Sequence, residues 1–110
     1  MTTSFESLRI GEGIEGPSFG VTRHDDDAPI TRMIASWAGP LGAIHRRLET
    51  RWVKPVRPGD TIRPTGLIKA KRASKKSRYV LIDVVVRNRA GKTVATGEAM
   101  VEFPRDLICP

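Results

Sequence analysis

The sequence has 110 residues, 39% of them hydrophobic, and a net charge of +7, which suits one domain with a single core and is too little for two. No apolar run approaches the roughly 18 to 20 residues that cross a bilayer, the first residues lack a signal-peptide pattern, and a single cysteine, Cys109, excludes an internal disulfide or a multi-cysteine metal site. We therefore expect one domain over residues 1–110, in the cytoplasm, away from membranes and without a bound metal.

The first part of the chain predicts a short strand near residues 18–23 and then one helix. Pro29 is favoured in a first helical turn, and the aspartates just before it suit the positive end of the helix dipole. Apolar residues then recur with the spacing of a helical stripe, at Ile30, Met33, Ile34 and Trp37. We predict a helix over residues 29–38 that ends at Gly39-Pro40.

The rest of the chain predicts four strands in meander-like order. The first covers residues 44–52, with Ile44, Leu48 and Trp52 on one face and His45, Arg47, Glu49 and Arg51 on the other. The next runs over residues 61–72. The strongest, residues 77–87, alternates Val80, Ile82, Val84 and Val86 on one apolar face, and a turn at residues 88–91 leads to the last, residues 93–103. One helix on an antiparallel sheet is an α+β arrangement.

Several motifs point to a known family. Trp-Ala-Gly-Pro at residues 37–40 ends the helix, and Pro-Val-Arg-Pro-Gly-Asp-Thr at residues 55–61 follows the next strand. Later blocks in the same order are Gly-Leu-Ile at 66–68, Asn-Arg-Ala-Gly at 88–91 and Gly-Glu-Ala-Met-Val at 97–101. Together they resemble the MaoC-like acyl-CoA hydratase/dehydratase family over nearly the whole chain. The resemblance implies a hot-dog fold, a curved antiparallel sheet around one central helix, which normally dimerises and so covers an exposed strand edge.

The resemblance directs attention to residues 25–31, Asp-Asp-Asp-Ala-Pro-Ile-Thr. Active hydratases of the family carry a loop of the form Gly-Asp-x-Asn-Pro-Ile-His, whose Asp and His activate water. Here Asp26 matches the aspartate, but Thr31 stands where the histidine is expected, and a hydroxyl is no general base near neutral pH. If this chain is catalytic, Asp26 would position water, with His24 the only nearby imidazole.

Two other interpretations of this segment stay open. In one, residues 22–25 match the strand before the catalytic loop, the loop itself is deleted, and Asp26 matches by accident. In the other, His24 and the three aspartates form an exposed loop that provides negative charge at the helix N-terminus. Because neighbouring side chains do not easily converge on one ion, the same residues do not predict a metal site.

Basic residues are concentrated in the second part of the chain. Residues 1–44 hold three basic residues against six acidic ones, whereas residues 45–110 hold sixteen against six. Six surround the predicted turn near residue 74: Lys69, Lys71, Arg72, Lys75, Lys76 and Arg78. The resemblance implies that the first five bind the phosphates of coenzyme A. A solvated turn is the alternative, and the scarcity of aromatic residues disfavours nucleic acid.

The resemblance implies lyase chemistry, either (R)-specific enoyl-CoA hydration or 3-hydroxyacyl-CoA dehydration, in fatty acid or steroid metabolism. The ligand would be an acyl-CoA thioester, and no separate cofactor is expected. Because the Asp/His pair is not intact, we expect the non-catalytic subunit of a heteromer, paired with a catalytic hot-dog subunit, or else a homodimer. The alternative is a non-catalytic module that binds or senses acyl-CoA.

Overall fold

One helix packs against a six-stranded antiparallel sheet in the computed structural model, which describes Phe5 and residues 8–20, 28–74 and 77–103. The elements in chain order are β1 (Gly13–Glu15), β2 (Phe19–Gly20), α1 (Ala28–Ala38), a single 3-10 turn (Gly39–Leu41), β3 (Ile44–Trp52), β4 (Thr61–Ala73), β5 (Arg78–Asn88) and β6 (Thr93–Phe103). The predicted α+β class, the helix and the four long strands are therefore confirmed. Strand β1 was not predicted.

The strand order across the sheet is β1-β4-β5-β6-β3, and β2 also pairs with β4. The predicted meander is confirmed for β4, β5 and β6 only, because β3 pairs with β6 and not with β4. Antiparallel strands that are neighbours in a sheet can be joined by a tight turn. The intervening residues 53–60 contain Pro55 and Pro58-Gly59, and the backbone amides of Val53 and Lys54 both donate to the carbonyl of Val94 in β6. The chain then passes to β4, which lies near the opposite edge of the sheet.

The core lies between α1 and the inner face of the sheet. Ile30, Met33 and Ile34 of α1 are buried, as the predicted stripe requires, and Trp37 is half-buried with its ring edge-on to Phe103 at 6.1 Å. The alternating set Val80, Ile82, Val84 and Val86 is completely buried below them. Close packing of the helix depends on Gly66, where a Cβ would lie 2.9 Å from Ile82 Cγ2 and 3.6 Å from Met33 Cε.

A bulge at the start of β3 corrects one prediction. The register of β3 against β6 shifts between His45 and Arg47. Since a bulge adds one residue, the side chains before it change face. Ile44, predicted on the same face as Leu48 and Trp52, is therefore 41% exposed, whereas His45 is half-buried opposite the buried Val101. None of the helices in the described residues has the length and apolar character needed to cross a bilayer.

Candidate functional site

The two predicted catalytic residues, His24 and Asp26, lie in residues 21–27, outside the described residues. Their roles stay predictions. The structure does describe Thr31, the residue at the position where the resemblance expects a histidine. It lies one turn into α1 on the exposed side of the helix, next to the buried Pro29 and Ile30. A hydroxyl at this position can donate a hydrogen bond, but it cannot take a proton near neutral pH as imidazole can.

His45 is the second of the two histidines in the sequence. It lies at the bulged start of β3, where its Nε2 is 3.1 Å from the carbonyl oxygen of Arg47. In the described part of the chain, no carboxylate forms a hydrogen bond with this ring. The same residues contain no group of three His, Cys, Asp or Glu side chains that could hold a metal ion.

Lys69, the first of the predicted phosphate-binding residues, lies on the outer face of the sheet among carboxylates. Its Nζ donates to Glu98 Oε2 at 2.5 Å and lies 3.6 Å from Asp83 Oδ1. The hydrogen bond with Glu98, reinforced by the charge of Asp83, raises the pKa of Lys69 above its ordinary value. Two acidic neighbours therefore balance this lysine within the sheet itself.

Lys71 projects to the opposite side of the sheet. It pairs with the buried Val80, its Nζ donates to the Leu8 carbonyl at 2.7 Å, and it lies 4.7 Å from the centre of the Phe5 ring. The guanidinium of Arg78 lies 5.6 Å from the same ring. Lys71 thus covers one end of the core, where a cation over an aromatic face is favourable.

The described members of the predicted basic cluster do not all project from one face of the sheet. Lys69 and Lys71 project from opposite faces, Arg72 is exposed opposite Tyr79, and Lys75 and Lys76 lie outside the described residues. The role of these five residues in binding CoA phosphates stays a prediction.

A groove that the sequence analysis missed lies at the other end of β4 and β5. Its volume is about 510 Å³, and its walls come from the start of β4, the end of β5, the β5–β6 turn and the segment around β1 and β2. We call it the arginine groove. Its polar lining consists mainly of Ser18, Thr61, Arg63, Arg87, Asn88 and Arg89. Three arginines line the groove, and Glu15 is the one acidic residue among the lining residues.

Backbone pairing creates this concentration of charge. Arg63 on β4 lies directly opposite Arg87 on β5, and the Nε of Arg63 donates to the Gly16 carbonyl at 3.1 Å. Asn88 Oδ1 accepts hydrogen bonds from the amides of Ala90 and Lys92, both at 3.0 Å, and so holds the turn that carries Arg89. The i, i+2 arginines at the end of a strand were visible in the sequence. Their approach to Arg63 needed the strand register.

No protein-family model matches the sequence, and no curated protein matches it. Solved structures do. The R-hydratase PhaJ1 from Pseudomonas aeruginosa is 20% identical with a TM-score of 0.76, over 93% of this chain and 86% of that one. A MaoC-like dehydratase from Rhodospirillum rubrum is 20% identical with a TM-score of 0.64, over 93% and 97%.

A third similar structure belongs to an assembly of two different subunits. The HadBC (3R-hydroxyacyl-ACP dehydratase) complex from Mycobacterium tuberculosis contains a chain that is 14% identical with a TM-score of 0.63, over 84% of this chain and 96% of that one. Identities at this level establish the fold. The resemblance seen in the sequence is thus confirmed structurally, and the chain has the hot-dog fold of MaoC-like dehydratases and (R)-hydratases.

Proposed function

We propose that the chain is the non-catalytic subunit of a heteromeric (R)-specific enoyl-CoA hydratase/3-hydroxyacyl-CoA dehydratase, in which it binds or helps to enclose the acyl-CoA thioester. The observation that carries this proposal is Thr31, which stands where the resemblance expects the family's histidine, in a chain whose fold is similar to that of an R-hydratase. A subunit that keeps the scaffold without the imidazole retains binding surfaces, while proton transfer falls to its partner.

The free edge of β3 supports an assembly with a second hot-dog subunit. Among the described strands β3 pairs with β6 alone, so its other edge is left without a strand partner. An unpaired edge tends to associate with another strand. Ile44 at the start of this edge is 41% exposed. A neighbouring sheet that pairs with β3 would cover both the edge and this side chain.

The acyl ligand is inferred from the resemblance, together with the apolar side chains near the same edge. Trp37, Leu48 and Trp52 are only partly buried, although all three pack against the core. In the assembly we propose, they line the side of the core that an acyl chain or the second subunit covers, since apolar surface is stabilised when it is removed from water. The similarity to the HadBC complex supports the heteromeric form.

Hydration of a panel of trans-2-enoyl-CoA thioesters by the purified chain tests the proposal. The folded chain alone is expected to show no turnover. Binding of the same thioesters, followed by isothermal titration calorimetry, is expected to persist. Turnover should appear or increase when the product of any neighbouring gene that encodes a hot-dog subunit with an intact Asp/His loop is added. Robust turnover by the chain alone, lost in Asp26→Ala or His24→Ala, would contradict the non-catalytic role.

The same experiment distinguishes the proposed subunit from the alternative, a module that binds or senses acyl-CoA without a catalytic partner. The alternative predicts thioester binding by the chain, no association with the hydratase-like subunit in size-exclusion chromatography with light scattering, and no change in that subunit's turnover. Association together with increased turnover would exclude it.

A further inference from the structure

We propose that the arginine groove binds the phosphates of a small phosphorylated ligand and that, if the proposed function holds, this ligand is the nucleotide end of acyl-CoA. The site would be separate from the lysine-rich turn that the sequence indicated. Only the identity of the ligand rests on the proposed function. The case for an anion site rests on the charges, contacts and shape of the groove.

Positive charges lie close together at the groove. Residues directly opposite on antiparallel strands have neighbouring side chains, and like charges in that arrangement destabilise the sheet. Arg63 and Arg87 are such a pair, and Arg89 joins them from the turn. A bound anion would convert this repulsion into attraction.

Three basic residues elsewhere on the outer surface have carboxylate partners. Arg46 pairs with Glu102 at 2.7 Å, Arg47 with Glu49, and Lys69 with Glu98 and Asp83. Within the described residues, neither Arg87 nor Arg89 forms an ion pair or a side-chain hydrogen bond. The charges of Arg46, Arg47 and Lys69 are thus balanced by carboxylates, whereas Arg87 and Arg89 have no such partner and line one groove together with Arg63.

The side chains that line the groove also suit phosphate chemically. A guanidinium is always charged and offers paired N–H donors that match phosphate oxygens. The hydrogen bond from Arg63 Nε to Gly16 holds this side chain, and within the described residues its terminal nitrogens form no hydrogen bond. The hydroxyls of Ser18 and Thr61 add neutral donors, and a volume of about 510 Å³ lies within the usual range for small-molecule sites.

The lining also favours a small ligand over single-stranded nucleic acid. Proteins that hold single strands combine positive charge with aromatic side chains on which bases stack. The groove residues include no aromatic side chain. A neighbouring cavity of about 350 Å³ continues past Gly59 and Asp60 and shares Thr61, Asn88 and Arg89 with the groove. This leaves space for the part of a ligand beyond its phosphates.

The two basic regions are far enough apart to be tested separately. Arg63 and Arg72 both lie on β4, and nine residues of strand span about 30 Å. The double variant Arg87→Gln/Arg89→Gln removes the groove's two unpaired cations. Arg72→Gln probes the predicted lysine-rich turn, and Arg32→Gln on the exposed side of α1 is the control for the loss of one surface charge.

Isothermal titration calorimetry with CoA, adenosine 3′,5′-bisphosphate and pantetheine, at low salt and with circular dichroism to check folding, tests the groove. We expect CoA and the bisphosphate to bind the wild-type chain, with Kd raised about tenfold or more in the double variant. Pantetheine, which lacks phosphate, should be insensitive to the substitutions. Arg32→Gln and Arg72→Gln should bind like wild type.

Each other outcome has a definite meaning. If the double variant binds CoA as tightly as wild type, or if Arg72→Gln weakens CoA binding by the same factor, the groove is not the phosphate site. Either result would leave the proposed function unaffected. Binding of the bisphosphate but not of CoA, with loss in the double variant, would support the anion site and contradict the acyl-CoA ligand. Binding of a 12-nucleotide single strand, with neither small phosphate bound, would overturn the proposal, as would a chain that binds none of the probes.

Discussion

Arg63 of β4 and Arg87 of β5 lie directly opposite each other on the outer face of the sheet, and Glu15 is the only acidic residue among those that line the groove around them. In the free protein this pair works against sheet pairing, because like charges in cross-strand positions repel. Its presence is therefore better explained by a ligand than by stability.

Arg87→Gln should stabilise the ligand-free chain at low ionic strength. Relief of the repulsion is expected to raise the free energy of unfolding by about 0.2–1 kcal/mol, and the gain should shrink in high salt because surface charges are screened. Urea denaturation at low and high salt measures both effects, with Arg72→Gln, opposite Tyr79, as the matched control. A loss of stability at low salt would contradict the account.

Lys69 should contribute to stability in a pH-dependent way. Its hydrogen bond with Glu98 and the nearby charge of Asp83 raise its pKa in the folded state. The stabilising contribution is therefore fully present below the unfolded pKa of about 10.4 and is lost as the pH rises through the higher folded value. The difference in unfolding free energy between wild type and Lys69→Met should shrink as the pH is raised above that value. Urea denaturation measures it, with Lys92→Met as the control, and a difference that grows with pH would contradict this assignment.

Gly97→Ala should destabilise the chain and loosen β3. A Cβ at residue 97 would lie 2.5 Å from the backbone oxygen of Glu49, and backbone cannot move aside as a side-chain end can. We expect a loss of about 1–3 kcal/mol in urea denaturation. Gly13→Ala, where a Cβ would meet nothing within 4 Å, is the matched control. Equal stability of the two variants would show that β3 does not approach β6 so closely.

The exposed end of β3 should matter for assembly and not for folding. Ile44→Lys places a charge at the edge that we assign to subunit contact, whereas Ile10→Lys places one at a residue that is 65% exposed ahead of β1. Both variants should unfold at temperatures close to wild type. Only Ile44→Lys should weaken association with the hydratase-like subunit in light scattering. If both variants associate like wild type, the contact lies elsewhere.

Local patterns predicted most of the fold, because α1 and β5 each present one continuous apolar face. Val80 to Val86 alternate without interruption, and the helical stripe from Ile30 to Trp37 has no competing period. The β3 prediction was wrong at Ile44 because a bulge is a property of two paired strands, and the partner of Ile44, Glu102, is far away in sequence. The position of β3 beside β6 also depends on long-range pairing.

For the candidate site, too, local sequence patterns reveal some features and strand pairing reveals others. A charge run near residue 74 is conspicuous in the sequence, yet Lys69 and Lys71 of that run project to opposite faces of the sheet. The arginine groove joins Arg63 with Arg87, which are 24 positions apart, and only the register of β4 against β5 reveals that they are neighbours.

Turnover of the complex between this chain and the hydratase-like subunit shows whether the chain supports catalysis without performing it. Trans-2-enoyl-CoA hydration would be measured with the wild-type chain, Asp26→Ala or His24→Ala, each combined with the same hydratase-like subunit. The account predicts the same turnover number for all three complexes and none for the chain alone. A fall of about a hundredfold or more in either variant complex, the range expected when a general acid or base is removed, would show that this chain carries the chemistry itself.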